Sequence, residues 1–406
     1  MLIRPMRDFL APGFPPELML AIACARWPLD ESARREIELR AGVTLDWTLF
    51  LAWIERHGIG PLAHHNLRQA GSPLIPPPVL AELASRYARN VKLVLRQIAE
   101  AQRIQRTLNE AGIGSILIKG PVLSMIAFGD PALRASRDID LLVAPVQLRE
   151  ADRLIRDAGY RRFAPDFELT PRQHALHERF RCQFGYHSEV SGLVVELHWR
   201  LTSNARLFRL DEGVLGERSR RVSLGGGDFR TLPSEDLFLY LCVHGGMHVW
   251  FRLKWLADIA ALLRGAAPGF IESVAERANS LGIARPVRQA LVLAQSLLDA
   301  PAPESVLRSA ARDRATRGLV TAAYRALAWG GLPSEPAESR WFNMWVGLQA
   351  YRLRAEPAYL WAEFQDQLCS PEDWARLPLP EWLSFLYLPF RPISWAARKL
   401  RHAIVR

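Results

Sequence analysis

The sequence is poor in cysteine, and its four cysteines lie far apart. None forms a Cys-x-x-Cys pair, which predicts neither a disulfide framework nor a zinc ribbon and is typical of a reducing cytoplasm. No uninterrupted apolar run approaches the length of a membrane span. Acidic residues and prolines interrupt the N-terminal segment where a signal peptide would need an apolar stretch. We therefore expect a soluble cytoplasmic protein, peripheral at a membrane at most.

Composition is that of a globular protein. The chain has 406 residues, of which 49% are hydrophobic and 23% charged, enough for two or three packed units. The formal net charge of +10 favours anionic partners such as nucleotides, nucleic acid or an acidic membrane surface. An arginine-rich composition without any specific basic surface explains the charge equally well.

The order of sequence patterns divides the chain into a helical start, a small α/β core and a long helical remainder. Helical periodicity runs from about 16 to 89, with a Pro-rich linker at 71–80, and a long amphipathic helix follows at 90–112, where Gly112 suits a C-cap. After residue 233 the chain is helical again, with breaks at 265–269, 300–305 and 330–336. Between these regions we predict strands at 115–120, 138–143, 160–163, 179–188 and 193–201, helices at 121–129 and 145–159, and a hairpin at 220–232 that turns through Gly225, Gly226 and Gly227.

Two aspartates stand at the start of one predicted strand, in the stretch SRDIDLLV. Side chains alternate between the two faces of a strand, so Asp138 and Asp140 point to the same side. Two neighbouring carboxylates repel each other and resist desolvation. The arrangement therefore requires water, a base or a cation beside it.

A cation-rich junction precedes this pair. Lys119 and Gly120 connect a predicted strand to a predicted helix, where glycine, free N–H groups and an ammonium can surround an anion. Arg134 and Arg137 lie in the loop just before the aspartates. A polyphosphate beside metal ions would explain why cations and anions share one edge of the core.

A third carboxylate lies in the strand pattern LVVELHWRL. Alternation places Glu196 on one face with Val194 and His198, and a lone glutamate in an apolar strand is costly unless it is paired or binds metal. Two carboxylates on one strand and one on a neighbour suit two-metal phosphoryl or nucleotidyl transfer. The alternative is that all three lie at solvated strand ends, in salt bridges with arginines such as Arg200.

The segments 117–143, 194–201 and 232–263 resemble the uncharacterised nucleotidyltransferase family of the polymerase-beta-like nucleotidyltransferase superfamily. The resemblance extends over roughly residues 20 to 330. It implies an α/β (α+β) core with a mixed sheet, flanked by mainly helical N- and C-terminal regions. It also implies a nucleoside triphosphate (NTP) donor, Mg²⁺ or Mn²⁺, and transfer of a nucleoside monophosphate to an acceptor hydroxyl with release of pyrophosphate.

The resemblance also assigns roles to residues. Asp138 and Asp140 match the hDhDh element of the superfamily and Glu196 matches its third carboxylate, so these three are the expected catalytic metal ligands. The expected triphosphate-binding residues are Lys119, Gly120, Arg134 and Arg137. Weaker candidates for the acceptor side are His198, His244, His248 and Lys254.

Two alternatives remain at this stage. Lys119-Gly120 stands where the superfamily carries Gly-Ser or Gly-Gly, which favours a catalytically degenerate fold that binds a nucleotide or a protein. His244 and His248, four apart on a predicted helix, share a face and can chelate a metal, although packing or a place in the cleft is the simpler interpretation. Lys254 and Asp258 have the spacing of an intrahelical ion pair.

The C-terminal segment combines an aromatic apolar stretch with a basic amphipathic pattern from Ile393 to Arg406. Such a helix either docks on its own protein or contacts an anionic membrane surface weakly. The acceptor is not specified by the sequence and can be a small molecule, a peptide, a protein or RNA. The predicted regions are 1–94 (helical), 95–232 (nucleotidyltransferase-like core), 233–335 (helices closing the cleft) and 336–406 (helical, with the basic tail).

Overall fold

A computed structural model of the chain describes residues 13–209, 213, 216–331, 339–368, 383 and 386. The predicted basic tail from Ile393 onward lies outside these residues, as does Cys369. The other three cysteines are free thiols. Among the described residues, no helix combines the length and hydropathy that crossing a membrane requires.

Helices form the first part of the described chain, as the sequence predicts. Asp30 and Asp46 cap two of them, since each side chain accepts a backbone N–H from the first helical turn. Gly58 and Gly71 each end a helix and adopt a left-handed backbone conformation there. The helices are α1 (Pro16–Ala23), α2 (Glu31–Ala41), α3 (Trp47–His57), α4 (Gly60–Ala70) and α5 (Pro77–Glu110).

Helix α5 is a single helix of 34 residues, longer than the sequence predicts. The Pro-rich segment begins it instead of separating two helices, because proline in the first turn lacks only an N–H that would have no helical partner. The predicted end is confirmed: Gly112 has a φ of 72°, and the Ile113 N–H bonds the Leu108 carbonyl at 2.8 Å. The predicted boundary at residue 94 lies inside this helix.

The central sheet has five strands in the order β1-β2-β5-β4-β3. The neighbours β2 and β5 are parallel and the other pairs antiparallel, so the predicted mixed sheet is confirmed. The strands are β1 (Ser115–Leu117), β2 (Asp138–Val143), β3 (Arg161–Ala164), β4 (Gln183–His187) and β5 (Val194–His198).

The two faces of this sheet join different cores. Ile139 and Leu141 of β2, with Val195 and Leu197 of β5, pack into one apolar cluster with α5 and with α7 (Leu148–Asp157). The alternate residue Leu142 belongs to the larger core that includes the C-terminal helices. Since Asp138 and Asp140 alternate with Ile139 and Leu141, the aspartates face the helical side.

Three further elements complete the α/β part. Helix α6 (Pro121–Phe128) follows β1, with proline in its first turn as predicted. Helix α8 (Pro171–Phe180) is not predicted above, although Thr170 and Gln173 form a capping box at its start. The predicted hairpin consists of β6 (Arg220–Leu224) and β7 (Gly227–Thr231); its turn needs only Gly225 and Gly226, both with positive φ, because Gly227 already belongs to β7.

Helices dominate the remainder of the described chain. The predicted breaks at 265–269 and 300–305 separate helices, whereas the break at 330–336 falls largely outside the described residues. The helices are α9 (Ser234–Met247), α10 (Leu253–Arg264), α11 (Phe270–Ser280), α12 (Ala284–Leu298), α13 (Glu304–Arg312), α14 (Arg314–Leu327), α15 (Arg340–Ala350) and α16 (Pro357–Leu368).

One of these helices ends earlier than predicted. Helix α9 stops at Met247, so His248 lies in the turn after it rather than on the helix. The turn passes through Val249 and Trp250, both with positive φ and both buried. A Cβ at Gly245 would lie 2.4 Å from the Trp250 ring, so the indole packs where α9 lacks a side chain. Burial of this large ring outweighs the cost of the unusual backbone.

Candidate functional site

A cavity of about 300 Å³ lies between the helical face of the central sheet and helices α9 and α10. The structure brings most of the predicted site residues into its wall: Lys119, Arg134, Asp138, Asp140, Glu196, His198, His244, His248 and Lys254. Gly120 and Arg137 are not among the lining residues. Gly120 is buried with a φ of 72° at the start of α6, and Arg137 is exposed.

Strand pairing places two carboxylates side by side. Asp140 of β2 is the register partner of Glu196 on the parallel neighbour β5. Partners in register point to the same face, so both side chains reach the cavity. Asp140 is only 2% exposed, whereas Glu196 is half-buried.

His198 completes a close group with these carboxylates. It lies two residues after Glu196 on β5, and one ligand atom from each of the three side chains is within 4.8 Å of the others. His198 Nε2 is 3.4 Å from Asp140 Oδ1 and 3.5 Å from Glu196 Oε2. The sequence predicted an acceptor-side position for this histidine; the structure places it against the carboxylates.

Several polar atoms in this group lack hydrogen-bond partners among the described residues. They include the two ring nitrogens of His198, whose contact with Asp140 is not aligned as a hydrogen bond. Oδ1 of Asp140 makes no aligned hydrogen bond either, but it forms an ion pair with Lys119. Both side chains are at least nine-tenths buried. Buried polar atoms without partners are costly, and they are the atoms that a bound cation would engage.

Asp138 lies beside this close group without joining it. The Ser136 hydroxyl is near its carboxylate, at 3.4 Å from Oδ1. Burial raises the pKa of Asp138, and the neighbouring Asp140 raises it further. Asp138 therefore takes up a proton more readily than an ordinary aspartate does.

Lys119 provides the nearest cation. Its Nζ lies 3.1 Å from Oδ1 of Asp140. Burial opposes the charge on each side chain, but their mutual attraction outweighs it: the pKa of Lys119 is raised and that of Asp140 is lowered. His198 behaves in the same way, since Asp140 outweighs burial and raises the pKa of the imidazole well above its ordinary value.

Arg134 is held by a partner that the sequence did not predict. Its Nε lies 2.9 Å from both carboxylate oxygens of Asp258 on α10, and both side chains are buried. The predicted ion pair between Lys254 and Asp258 is wrong, because Lys254 donates instead to the Ala135 carbonyl at 3.2 Å. These contacts tie α10 to the loop that precedes β2. Burial, together with Arg134, lowers the pKa of Lys254 to about 7.

Aromatic rings and imidazoles form the opposite wall. The rings of His244 and His248 are 4.7 Å apart, and both contact Trp255, at 5.2 and 5.4 Å. Burial, with the nearby charge of Lys119, lowers the pKa of both histidines, that of His248 to about 4. Both imidazoles are therefore neutral near pH 7. Within the described part of the chain they join no close group of three metal-ligating side chains.

Sequence reasoning missed several residues of the wall. Tyr240 lies one turn before His244 on α9, and helical spacing could have placed it on the same face. Cys182 and Gln183 line the cavity because β4 pairs with β5, so that Gln183 is the register partner of His198. No local signal reveals that pairing, since it depends on the order of strands in the sheet.

The mixed sheet, the helices around it and the acidic cavity define a nucleotidyltransferase-like α/β fold. A sequence model of the uncharacterised nucleotidyltransferase family matches residues 44–299, which is more than half of the chain. The protein therefore belongs to this family, and the resemblance inferred from the sequence is confirmed. No curated protein matches the chain.

Proposed function

We propose that the protein transfers a nucleoside monophosphate from an NTP to an acceptor hydroxyl and releases pyrophosphate. One observation carries the proposal. Asp140 and Glu196 stand in register on adjacent parallel strands, and both side chains line the cavity. Family membership supports the reaction class.

The residues present fit the divalent cations that this reaction class requires. Asp138, Asp140 and Glu196 offer hard oxygen donors beside one cavity, and Mg²⁺ and Mn²⁺ both prefer such ligands. Asp138 and Asp140 would hold or share the ions, and Glu196 would complete one site. When bound, the ions activate the attacking oxygen and stabilise the negative charge of the leaving group.

The remaining charged residues act on the two substrates. Lys119 is the cation nearest the carboxylates, and it would neutralise part of the triphosphate. The acceptor oxygen forms a bond to the α-phosphorus. The bond between the α-phosphorus and the oxygen that bridges it to the β-phosphate breaks, and pyrophosphate departs. Glu196, the more exposed of the two carboxylates in register, would accept the hydroxyl proton.

The wall formed by His244, His248 and Trp255 faces the acceptor in this proposal. Two neutral imidazoles and an indole offer hydrogen bonds and stacking without net charge. An acceptor hydroxyl on a neutral or aromatic group suits such a wall better than an anionic one. Lys254, another residue of the cavity wall, adds a group whose pKa is about 7.

A thermal-shift series tests the proposal. NTP should stabilise the parent protein when Mg²⁺ or Mn²⁺ is present, and Asp140→Asn should abolish this metal-dependent gain. Arg137→Gln is the matched control, because Arg137 is exposed and outside the cavity wall. Incubation with each α-³²P-labelled NTP and a cell lysate then identifies the nucleotide and the class of acceptor from the labelled product.

The ion pair of Lys119 and Asp140 favours a second candidate. The Lys119 ammonium, 3.1 Å from the Asp140 carboxylate, compensates the charge of that carboxylate without any metal ion. A catalytically degenerate site that binds a nucleotide or a protein would need such compensation. If NTP stabilises the parent and Asp140→Asn equally without a divalent cation, this second function replaces the first.

A further inference from the structure

The close group at the cavity wall is chemically mixed, with two carboxylates and one imidazole: Asp140, Glu196 and His198. A site of carboxylate oxygens alone suits Mg²⁺, which seldom takes nitrogen ligands. Imidazole nitrogen instead favours first-row transition metals. The ring proton that the carboxylates stabilise on His198 in the metal-free protein would be released when the ion binds.

The spacing of the donor atoms matches a single ion. Two ligand atoms that each lie about 2.1 Å from one metal at the tetrahedral angle are about 3.4 Å apart. His198 Nε2 lies 3.4 Å from Asp140 Oδ1 and 3.5 Å from Glu196 Oε2. Those two contacts therefore have the length of edges in a metal coordination shell.

The bonding of His198 supports the same conclusion. The side chain is 3% exposed, and its Nε2 contacts a carboxylate oxygen of Asp140 and one of Glu196 without an aligned hydrogen bond to either. A histidine that served packing alone would normally bond at least one nitrogen when this deeply buried. Its position is set by β5, since it follows Glu196 by two residues on the cavity face.

We propose that Asp140, Glu196 and His198 form a nitrogen–oxygen site that binds a first-row transition-metal dication in preference to Mg²⁺. The site is the one used in the proposed function, and the inference deepens that function by naming the class of metal. It depends on metal binding at this wall, but it does not require nucleotidyl transfer.

Pulsed EPR of the full chain loaded with Mn²⁺ tests the site directly. The parent should show nuclear modulation from a directly coordinated ¹⁴N of imidazole. His198→Asn should lose that modulation and weaken Mn²⁺ binding by at least the roughly 10–100-fold that loss of an outer-shell partner costs. His248→Asn is the matched control, a histidine of the same cavity outside the close group, and it should keep the nitrogen signal.

Calorimetric titration of the chelator-treated parent supplies a measurement that needs no variant. Mn²⁺ should bind more tightly than Mg²⁺, and the ratio of the Mn²⁺ affinity to the Mg²⁺ affinity should fall in His198→Asn. Bound Mn²⁺ without nitrogen modulation in the parent, or loss of the signal in His248→Asn instead, overturns the inference. The proposal of nucleotidyl transfer with Mg²⁺ would still stand after that result. Conversely, a nitrogen signal in the parent without nucleotidyl transfer in any assay would overturn only the proposed function.

Discussion

The Lys119 ammonium lies 3.1 Å from Oδ1 of Asp140, and both side chains are largely enclosed by protein. Asp138, two residues before Asp140 and on the same face of β2, forms no ion pair of this length among the described residues. Burial and Asp140 raise its pKa and outweigh the opposing effects of Lys119 and Lys254. Two aspartates that look equivalent in the sequence thus have opposite electrostatic surroundings.

Their substitution by asparagine should therefore change stability in opposite directions. Asp140→Asn leaves the Lys119 charge buried without its partner and should lower the free energy of unfolding by about 3–5 kcal/mol, as loss of one member of a buried pair does. Asp138→Asn removes a repelling charge and should leave stability unchanged or higher. Urea unfolding at pH 7 with chelator present measures both, and a loss of similar size in the two variants would contradict this account. Either substitution should reduce nucleotidyl transfer by orders of magnitude.

Lys119→Met should have opposite effects on the two ligands of the cavity. Without the ammonium, NTP should bind more weakly because part of the triphosphate charge is no longer neutralised. A divalent cation should bind more tightly, since it no longer competes with Lys119 for Oδ1 of Asp140. Calorimetry with NTP and with Mn²⁺ separately measures the two changes.

Lys254→Met is the matched control for that pair of measurements. It removes an amine from the same cavity wall, but its hydrogen bond goes to the Ala135 carbonyl and not to Asp140. Its effect on Mn²⁺ affinity should be smaller than that of Lys119→Met. Equal effects of the two substitutions would show that Mn²⁺ affinity depends only on the total charge of the cavity.

The buried pair of Arg134 and Asp258 should behave as a structural link between α10 and the loop before β2. Arg134→Met alone should cost about 3–5 kcal/mol because it leaves Asp258 charged and unpaired in the interior. The double variant Arg134→Met/Asp258→Leu should recover most of that loss, since apolar replacements of a buried pair are often neutral. A double-mutant cycle in urea provides the coupling energy. If NTP affinity falls far more than stability in the double variant, Arg134 contacts the triphosphate after all.

Acid should begin to destabilise the protein below pH 6.5, partly through a buried histidine. Burial lowers the pKa of His177 from 6.5 to about 4, so the folded chain keeps this ring neutral while the unfolded chain takes up a proton. The stability that His177 contributes is thus present above pH 6.5 and lost as the pH falls towards 4. His177→Phe keeps a ring that stacks on Phe184. The free energy of unfolding of this variant should depend less steeply on pH between pH 6.5 and 4. Denaturant unfolding at half-unit pH steps, compared with the parent at pH 8, measures the change in slope.

Local periodicity predicts much of the fold and of the site. The repeat of two along a strand places Asp138 with Asp140, and Glu196 with His198, and both pairs share a face in the structure. Helix ends with strong local signals, such as Gly112, are also predicted correctly. The structure differs from the prediction at the Pro-rich segment because proline both interrupts helices and begins them, and the local pattern alone does not distinguish the two.

The composition of the site depends on contacts between distant parts of the chain. The sequence by itself determined which side chains share a face of each strand, because that alternation is a property of the extended backbone. Only the tertiary structure decided that β2 pairs in parallel with β5 so that Asp140 meets Glu196, that His198 lies against both, and that Asp258 holds Arg134. Strand register and burial arise from packing of the whole chain, and no short stretch of sequence contains that information.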